Sequence, residues 1–388
     1  MTQKLVTKPG LNEFDQGLII ASYFGFMPVS APKVLDKDIE VARTSNSEPY
    51  FDAVEKASLI RHYLENNFSS LPHPLAMIYK QPVVKKRIPG YGLHFIGASG
   101  GIAEATLIRT ALSMLSEAGY KNLRVDLNCV GDKESLAVYE RELGNYVKKF
   151  GQSLNAPLKE SLKADLFNLF RHEDEEMIRL RVGAPSSITF LSSQSRLHFK
   201  EVLEYLEALG IEFRLAPELI GEKNHVSHTV FAIKSVGSAS PELEVTEETL
   251  AVGYRYSRLG RKMGLRKEIP MAGCSIFSTP GKELGKKVYK QLPRPKFYLV
   301  QLGQMAKVKT LALIELLRSH KIPVHHFLGK DKLAVQLANA ESLQVGYLII
   351  IGQKEALDGT ATIRNVTTRA QDTIPLEMLP QYLKDIHL

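Results

Sequence analysis

The apolar positions between Tyr91 and Asp132 change period twice. Tyr91, Leu93 and Phe95 alternate with Gly92 and His94, a two-residue period that predicts a strand. From Ala103 to Ala118, Leu107, Ala111, Leu112 and Leu115 fall on one helical stripe, and Gly119 follows as a stop. Leu123, Val125 and Leu127 then alternate with Arg124, Asp126 and Asn128, a second strand that Gly131-Asp132 ends. Strand, helix and strand in succession predict an α/β layer and name no chemistry. Upstream, F-D-Q-G-L-I-I-A-S-Y-F reads as a helix, and the following G-F-M-P-V-S-A-P reads as a strand ending before Pro32, because proline removes a ladder donor. Asp52 to Glu65 is a helix with Leu59, Ile60, Tyr63 and Leu64 inward. Downstream, helical periods run from Ser135 to Lys149, from Pro157 to Phe170 and from Gln194 to Leu209. Ser192-Ser193 can cap the last of these, which turns Leu197, Val202, Leu203, Leu206 and Leu209 inward.

Lys282 to Gln291 reads as a basic helix or linker, and Leu292-Pro293-Arg294-Pro295 marks a boundary. Beyond it the pattern alternates: F-Y-L-V-Q-L-G a strand, Ala306 to Ser319 a helix, I-P-V-H-H-F a strand, Leu333 to Ser342 a helix, Y-L-I-I-I-G a strand, and T-A-T-I-R-N-V-T a last hairpin strand. This predicts a mixed α/β sheet covered by helices. A chain of 388 residues has room for two or three cores.

Apolar residues make up 44% and charged residues 24%, as in ordinary globular proteins. No run approaches the roughly 20 apolar residues of a membrane span, and the opening M-T-Q-K-L-V-T-K-P-G lacks the apolar core of a signal peptide. Cys129 and Cys274 form neither a metal pattern nor a disulfide framework, so a reducing, cytoplasmic setting is expected. The net charge of +8 is concentrated: residues 281–388 hold 16 Lys and Arg against 9 Asp and Glu. That bias favours an anionic partner, nucleic acid first, bound through the last quarter of the chain. His172-Glu173-Asp174-Glu175-Glu176 contains metal-ligating residue types, but an acidic run of this kind is expected to be a solvated helix, and no metal is expected.

Three strings, G-Y-G-L-H-F-I-G, the A-E-A after it, and L-N-C-V-G-D-K-E-S, resemble in order and spacing the class II core of histidyl-tRNA synthetases, which reads Q-F-G-x-E-x-I-G, then A-E, then I-N-x-G-D-x-E. The resemblance extends over nearly the whole chain. It implies an α/β (α+β) architecture: a class II synthetase-like antiparallel sheet with helices over residues 1–291, a helical insertion at about 133–209, and an anticodon-binding-like mixed α/β domain over 294–388. The segment from residue 11 to 35 resembles the dimer-building first motif, which implies a homodimer.

Where the resemblance reaches the catalytic motifs, the residue types change. Aligned back from Ile60-Arg61, Val54 falls on the glutamate of R-P-E-G-T that holds the amino group of histidine. Lys56 falls on the threonine, and Glu55 lies one residue from a rescue of the carboxylate. Lys85 stands nearest the second-motif arginine that clamps the ATP α-phosphate, and Arg87 replaces its glutamate. A lysine is a point charge where arginine is a bidentate fork. Thr229-Val230-Phe231 fixes the register of R-G-L-D-Y-Y-T-G-T-V-F-E. The catalytic arginine then falls on Gly221, and the Asp-Tyr-Tyr of the histidine pocket on Asn224, His225 and Val226. His225 and His228 are read as filling or capping residues. Arg255-Tyr256 survive from G-G-G-R-Y-D-G-L, and Pro280 stands where the third-motif arginine belongs.

The C-terminal strings are better kept: Gly329-Lys330-Asp331-Lys332-Leu333 and Gln336 match G-R-K-L-x-x-Q with one residue extra. Gln301, His325, Lys330, Lys332 and Lys354 are the expected RNA contacts, with lysines on phosphates and stacking or base edges carrying any sequence choice. The expectation is a catalytically inactive relative of histidyl-tRNA synthetase that binds tRNA, another RNA or a protein partner. No cofactor is expected. ATP and magnesium enter only under the alternative, an active histidine-tRNA ligase with divergent site residues. A regulatory or accessory subunit of another enzyme is the third reading.

Overall fold

A computed structural model describes residues 13–42, 53–81, 88–222, 224–237, 247–278, 287–329 and 332–386. In chain order, β1 (Phe14–Asp15) leads into α1 (Gln16–Tyr23), whose first turn is capped where Leu18 N donates to the Asp15 carboxylate at 3.1 Å. Then come β2 (Met27–Pro28), α2 (Asp36–Val41), α3 (Ala53–Glu65), β3 (Leu75–Lys80), β4 (Ile88–Ile96), α4 (Ile102–Glu117) and β5 (Leu123–Gly131). The insertion follows as α5 (Lys133–Phe150), α6 (Ala156–Ala164), α7 (Asn168–Arg171), α8 (Glu175–Val182) and α9 (Ser193–Ala208). The core closes with β6 (Phe213–Leu215), β7 (Ser227–Val236), β8 (Glu247–Arg255), α10 (Ser257–Lys262), β9 (Met271–Ser278) and β10 (Val288–Tyr289). The C-terminal part holds β11 (Phe297–Gln301), α11 (Gln304–Ser319), β12 (Val324–His326), α12 (Leu333–Ser342), β13 (Tyr347–Ile351), α13 (Gln353–Asp358), β14 (Thr360–Asn365), β15 (Gln371–Pro375) and α14 (Leu379–Asp385).

The strand–helix–strand unit around α4 forms as expected, and Gly119 ends the helix at φ +88°. Its two strands are not neighbours, however. The eight-stranded sheet runs β2-β3-β4-β9-β8-β7-β5-β6, so three strands from later in the chain separate β4 from β5. All pairs in it are antiparallel except β2–β3 and β5–β6. The second sheet runs β12-β11-β13-β14-β15, parallel across its first three strands and antiparallel after them. The mixed α/β architecture with a large antiparallel-rich sheet and a C-terminal α/β domain is therefore present.

Both faces of the large sheet are covered. Tyr91 and Leu93 join the apolar cluster under α1, α4 and α9, whereas Ile96, Met77 and Tyr79 join the one under α3 and α5. The first cluster continues without a break into Phe297, Leu299, Leu311 and Ile314, so the two sheets share one core. Polar ties reinforce that junction. Arg109 on α4 reaches Glu315 on α11 at 2.7 Å, Arg318 reaches Glu117 at 3.1 Å, and His326 Nε2 lies 3.1 Å from the Tyr23 carbonyl.

Five local expectations change. Leu64 is 39% exposed and Leu197 is 69% exposed, each on the outer side of its helix while the neighbouring apolar positions suffice for the core. The period from Pro157 to Phe170 breaks at Asp165, which leaves the helix and instead accepts from Phe167 N and Arg171. Val288–Tyr289, within the expected basic helix or linker, is a strand paired antiparallel to β1. Beyond the hairpin strand β14 the chain adds β15 and α14, elements that its weakly apolar sequence did not announce.

Candidate functional site

Helix α3 buries two consecutive charged residues, Glu55 and Lys56, against the second apolar cluster. Lys56 is 0% exposed. Its Nζ donates to Glu55 Oε2 at 2.6 Å and to Ser275 Oγ on β9 at 2.6 Å, and lies 5.2 Å from the centre of the Tyr254 ring on β8. Glu55 Oε1 accepts from the Tyr79 hydroxyl on β3 and from His94 Nε2 on β4, the latter at 2.9 Å. His94 Nδ1 accepts from the Tyr256 hydroxyl at 3.0 Å, and its ring stacks on Tyr79. Gly92 and Gly273 make the room: a Cβ at Gly92 would sit 2.5 Å from Glu55 Oε1, and one at Gly273 2.4 Å from His94 Nδ1.

The protonation states of this network follow from its surroundings. Burial by itself would raise the Glu55 carboxyl, but Lys56 and His94 beside it outweigh that and hold it well below the usual carboxylate range. Burial lowers His94, and Lys56 adds to that, against the pull of Glu55. A neutral imidazole, Nε2–H toward the carboxylate and Nδ1 toward the phenol, fits both hydrogen bonds. Burial pushes the Tyr256 phenol well above its ordinary value, so it stays a donor. The result is one carboxylate and one ammonium closed into a network with no surplus charge, the condition under which buried ions persist.

Beside it lies a second buried pair. Arg255, at the end of β8, grips Glu104 of α4 with Nε at 2.6 Å and Nη2 at 2.7 Å, and donates to the carbonyls of Ala98 and Gly100, each at 2.8 Å. His198 of α9 meets the same carboxylate at 2.7 Å, and its ring lies 5.2 Å from that of His228. Burial would raise Glu104, but Arg255 and His198 hold it well below the ordinary range. The arginine that survives from the expected motif is thus spent on architecture.

The other expected positions divide. Val54 is half-buried against the apolar cluster; Glu55, one residue on, supplies the carboxylate of the polar network. Gly221 is buried at φ +70°, and its carbonyl accepts from Arg171 at 3.0 Å. Asn224 is exposed. His225 is buried, and neither ring nitrogen has a hydrogen-bond partner among the described residues. Burial, with Lys262 nearby, lowers it to about 4. His228 takes φ +53° and is likewise lowered to about 4, by burial first and then by His198 and Arg255. Lys85, Pro280 and Lys330 lie outside the described residues.

In the C-terminal domain the corrected residue is Gln301. It is 0% exposed, which takes it off the surface where RNA was expected, and the Gln336 side chain pins α12 to β11 by accepting from the Gln301 backbone N–H at 3.1 Å and donating to its backbone carbonyl at 2.8 Å. His325 is half-buried on β12 and lowered by burial. Lys332 precedes α12, Lys354 lies in the first turn of α13, and both are exposed near the ends of the parallel strands. The sequence reading missed Tyr79, His94, Tyr254 and Ser275. The signal was in the quoted strings, since His94 stands opposite the glutamate of Q-F-G-x-E-x-I-G. Among the described residues no three His, Cys, Asp or Glu form a group that could hold a metal, and Gly221 and Asn224 bring no cation to the expected phosphate side. No helix among the described residues is long and apolar enough to cross a membrane.

Residues 296–386 match the anticodon binding domain family. Over 345 residues the chain is 25% identical to the chloroplastic histidine-tRNA ligase of Pyropia yezoensis, covering 84% of this chain and 78% of that protein. It is 28% identical over 343 residues to the histidine-tRNA ligase of Halothermothrix orenii, covering 85% and 80%. The crystal structure of apo S. aureus histidyl-tRNA synthetase superposes with a TM-score of 0.51 at 20% identity, covering 94% of this chain and 92% of that one, which is a likeness of fold. The strings, the two sheets and these relatives agree that the chain is a histidyl-tRNA synthetase-like protein with an anticodon binding domain at residues 296–386.

Proposed function

We propose that this chain catalyses no aminoacylation and works by binding, as a homodimer in the cytoplasm, with tRNA or another RNA as partner of its basic C-terminal domain and a protein as the partner to test next. The observation that carries the reading is the Lys56 ammonium 2.6 Å from Glu55 Oε2. The carboxylate nearest the place where the relatives' glutamate would hold an amino acid is already neutralised from inside the chain. Gly221 at the expected arginine supports the same reading. Loss of one preorganised donor costs roughly 10² to 10³ in rate, so a site with several missing falls by about 10⁴ or more even without additivity. RNA binding is supported by the anticodon binding domain match and by the exposed Lys332 and Lys354.

The test is histidine-dependent exchange of pyrophosphate into ATP, run beside a gel-shift titration of total tRNA over a salt series. The expected result is no exchange and RNA binding that weakens steeply with salt. Because the curated relatives carry the name histidine-tRNA ligase, the second reading is an active ligase, and exchange above background would establish it against ours.

A further inference from the structure

We propose that the junction between the core and the C-terminal domain holds a binding site for a neutral, flat aromatic molecule with one N–H or O–H donor, of which indole is a minimal form. The site lies on the face of the large sheet opposite the Glu55 network. Ala76 and Phe95 pack against the first apolar cluster, whereas their chain neighbours Met77 and Ile96 belong to the second. The core supplies Phe24 after α1, Phe95 of β4 and Ile102 at the start of α4. The C-terminal domain closes the far side with His326, Phe327 and Leu328. Two glycines set how closely the walls approach. A Cβ at Gly25 would lie 2.9 Å from His326 Cε1, and one at Gly329 would lie 2.4 Å from Pro74 Cγ. Between the walls a cavity of about 70 Å³ stays open to solvent on one side. It has room for the centres of roughly five waters, or about 150 Å³ of liquid, which is enough for one small ring system. Junctions between domains are where such sites most often form.

The ligand class follows from the lining. Among the described residues no Asp, Glu, Lys or Arg borders the cavity, so an ion entering it would lose water and gain no countercharge. Three phenylalanines give flat apolar walls. Two polar side chains remain. The Thr106 hydroxyl donates to the Ile102 carbonyl at 2.7 Å, so its proton is used within α4. His326 Nε2 lies 3.1 Å from the Tyr23 carbonyl, which can only accept, so Nε2 carries the hydrogen and Nδ1 keeps its lone pair. Burial first of all lowers this imidazole to about 4, so it is neutral at pH 7. Among the described residues none donates to Nδ1. A ligand donor aimed at that nitrogen completes the histidine, while its ring covers the phenylalanines.

The experiment is a fluorescence titration of indole with the full chain at pH 7. The chain contains no tryptophan, so indole excited beyond the tyrosine band reports its own binding. Benzofuran, which has the same shape with an oxygen in place of the N–H, and tryptamine, a cation, are added as competitors. The expected result is a saturable blue shift with half-saturation below about 1 mM. Benzofuran competes about five-fold more weakly than unlabelled indole, and tryptamine about ten-fold or more. Ala76→Leu, which extends a side chain into the cavity, abolishes the shift while keeping the circular dichroism of the unmodified chain. The ranking of the competitors needs no variant, so it decides the matter if Ala76→Leu fails to fold. No saturable shift, an equal shift with folded Ala76→Leu, or benzofuran or tryptamine competing as well as indole overturns the proposal. None of these outcomes bears on the functional reading, which pyrophosphate exchange tests separately.

Discussion

Replacing Arg255 by methionine separates an architectural arginine from a catalytic one. The residue belongs to a string that in the related synthetases lies at the active site, so its survival invites a catalytic reading. Its surroundings point the other way. The guanidinium makes two parallel bonds to Glu104, at 2.6 and 2.7 Å, and also donates to the Ala98 and Gly100 carbonyls. Both partners are buried. Methionine keeps the apolar stem and removes every donor. Glu104 is then left with His198 alone, and two carbonyls at the entry to α4 lose their partner. Breaking a buried pair from one side costs about 3–5 kcal/mol, and an orphaned carbonyl adds about 1 kcal/mol. With two carbonyls orphaned, we expect Arg255→Met to lose about 6 kcal/mol in guanidinium unfolding, and Arg255→Lys to lose about half as much, because it keeps the charge but not the fork. A double variant, Glu104→Gln with Arg255→Met, should be less destabilised than the sum of the singles by about 2 kcal/mol. RNA binding by each variant should match the unmodified chain in the folded baseline. A loss below about 1 kcal/mol for Arg255→Met, or a near-additive double variant, would refute the assignment.

Two further expectations follow. His225, His228 and His326 are each lowered to about 4, by burial foremost, from an ordinary 6.5. For a histidine held neutral in the fold, the unfolded chain takes up the proton first. Stability is therefore full above about pH 6.5 and is lost as pH falls from there toward about 4, with a slope approaching 4 kcal/mol per pH unit in mid-window if all three titrate. Unfolding midpoints in guanidinium from pH 7.5 to 4.5 measure it, and a flat profile would remove these three groups as the cause of acid sensitivity. In the C-terminal domain, Lys332→Glu with Lys354→Glu should weaken tRNA binding and reduce the slope of log K against log salt by about 0.7 for each phosphate no longer neutralised, whereas an unchanged slope would place the RNA elsewhere.

The regular elements were legible wherever one period dominated. Leu107, Ala111 and Leu115 set α4, Val125 and Leu127 set β5, and the alternation after Pro295 set the C-terminal sheet, because a stripe or an alternation has one way to bury itself. Exposure at Leu64 and Leu197 was not legible, since an apolar residue at the edge of a stripe is inward only if something packs there. Nor was Gln301: a polar residue at a strand end reads as surface until a second glutamine, thirty-five residues away, is seen to close on it.

The candidate site divides along the same line. The strings alone put Gly221 at the expected arginine, Val54 at the glutamate and Lys56 at the threonine, with Glu55 one residue from the missing carboxylate. They could not determine whether those two charges face water or each other. Lys56 and Ser275 are 219 positions apart, and Glu55 and His94 belong to elements whose meeting depends on how β9 threads between β4 and β8. Local period and residue type settle which groups are available. Only the closed sheet, by excluding water on both faces, decides that a lysine and a glutamate next to each other must neutralise each other, and that a retained arginine holds the start of a helix.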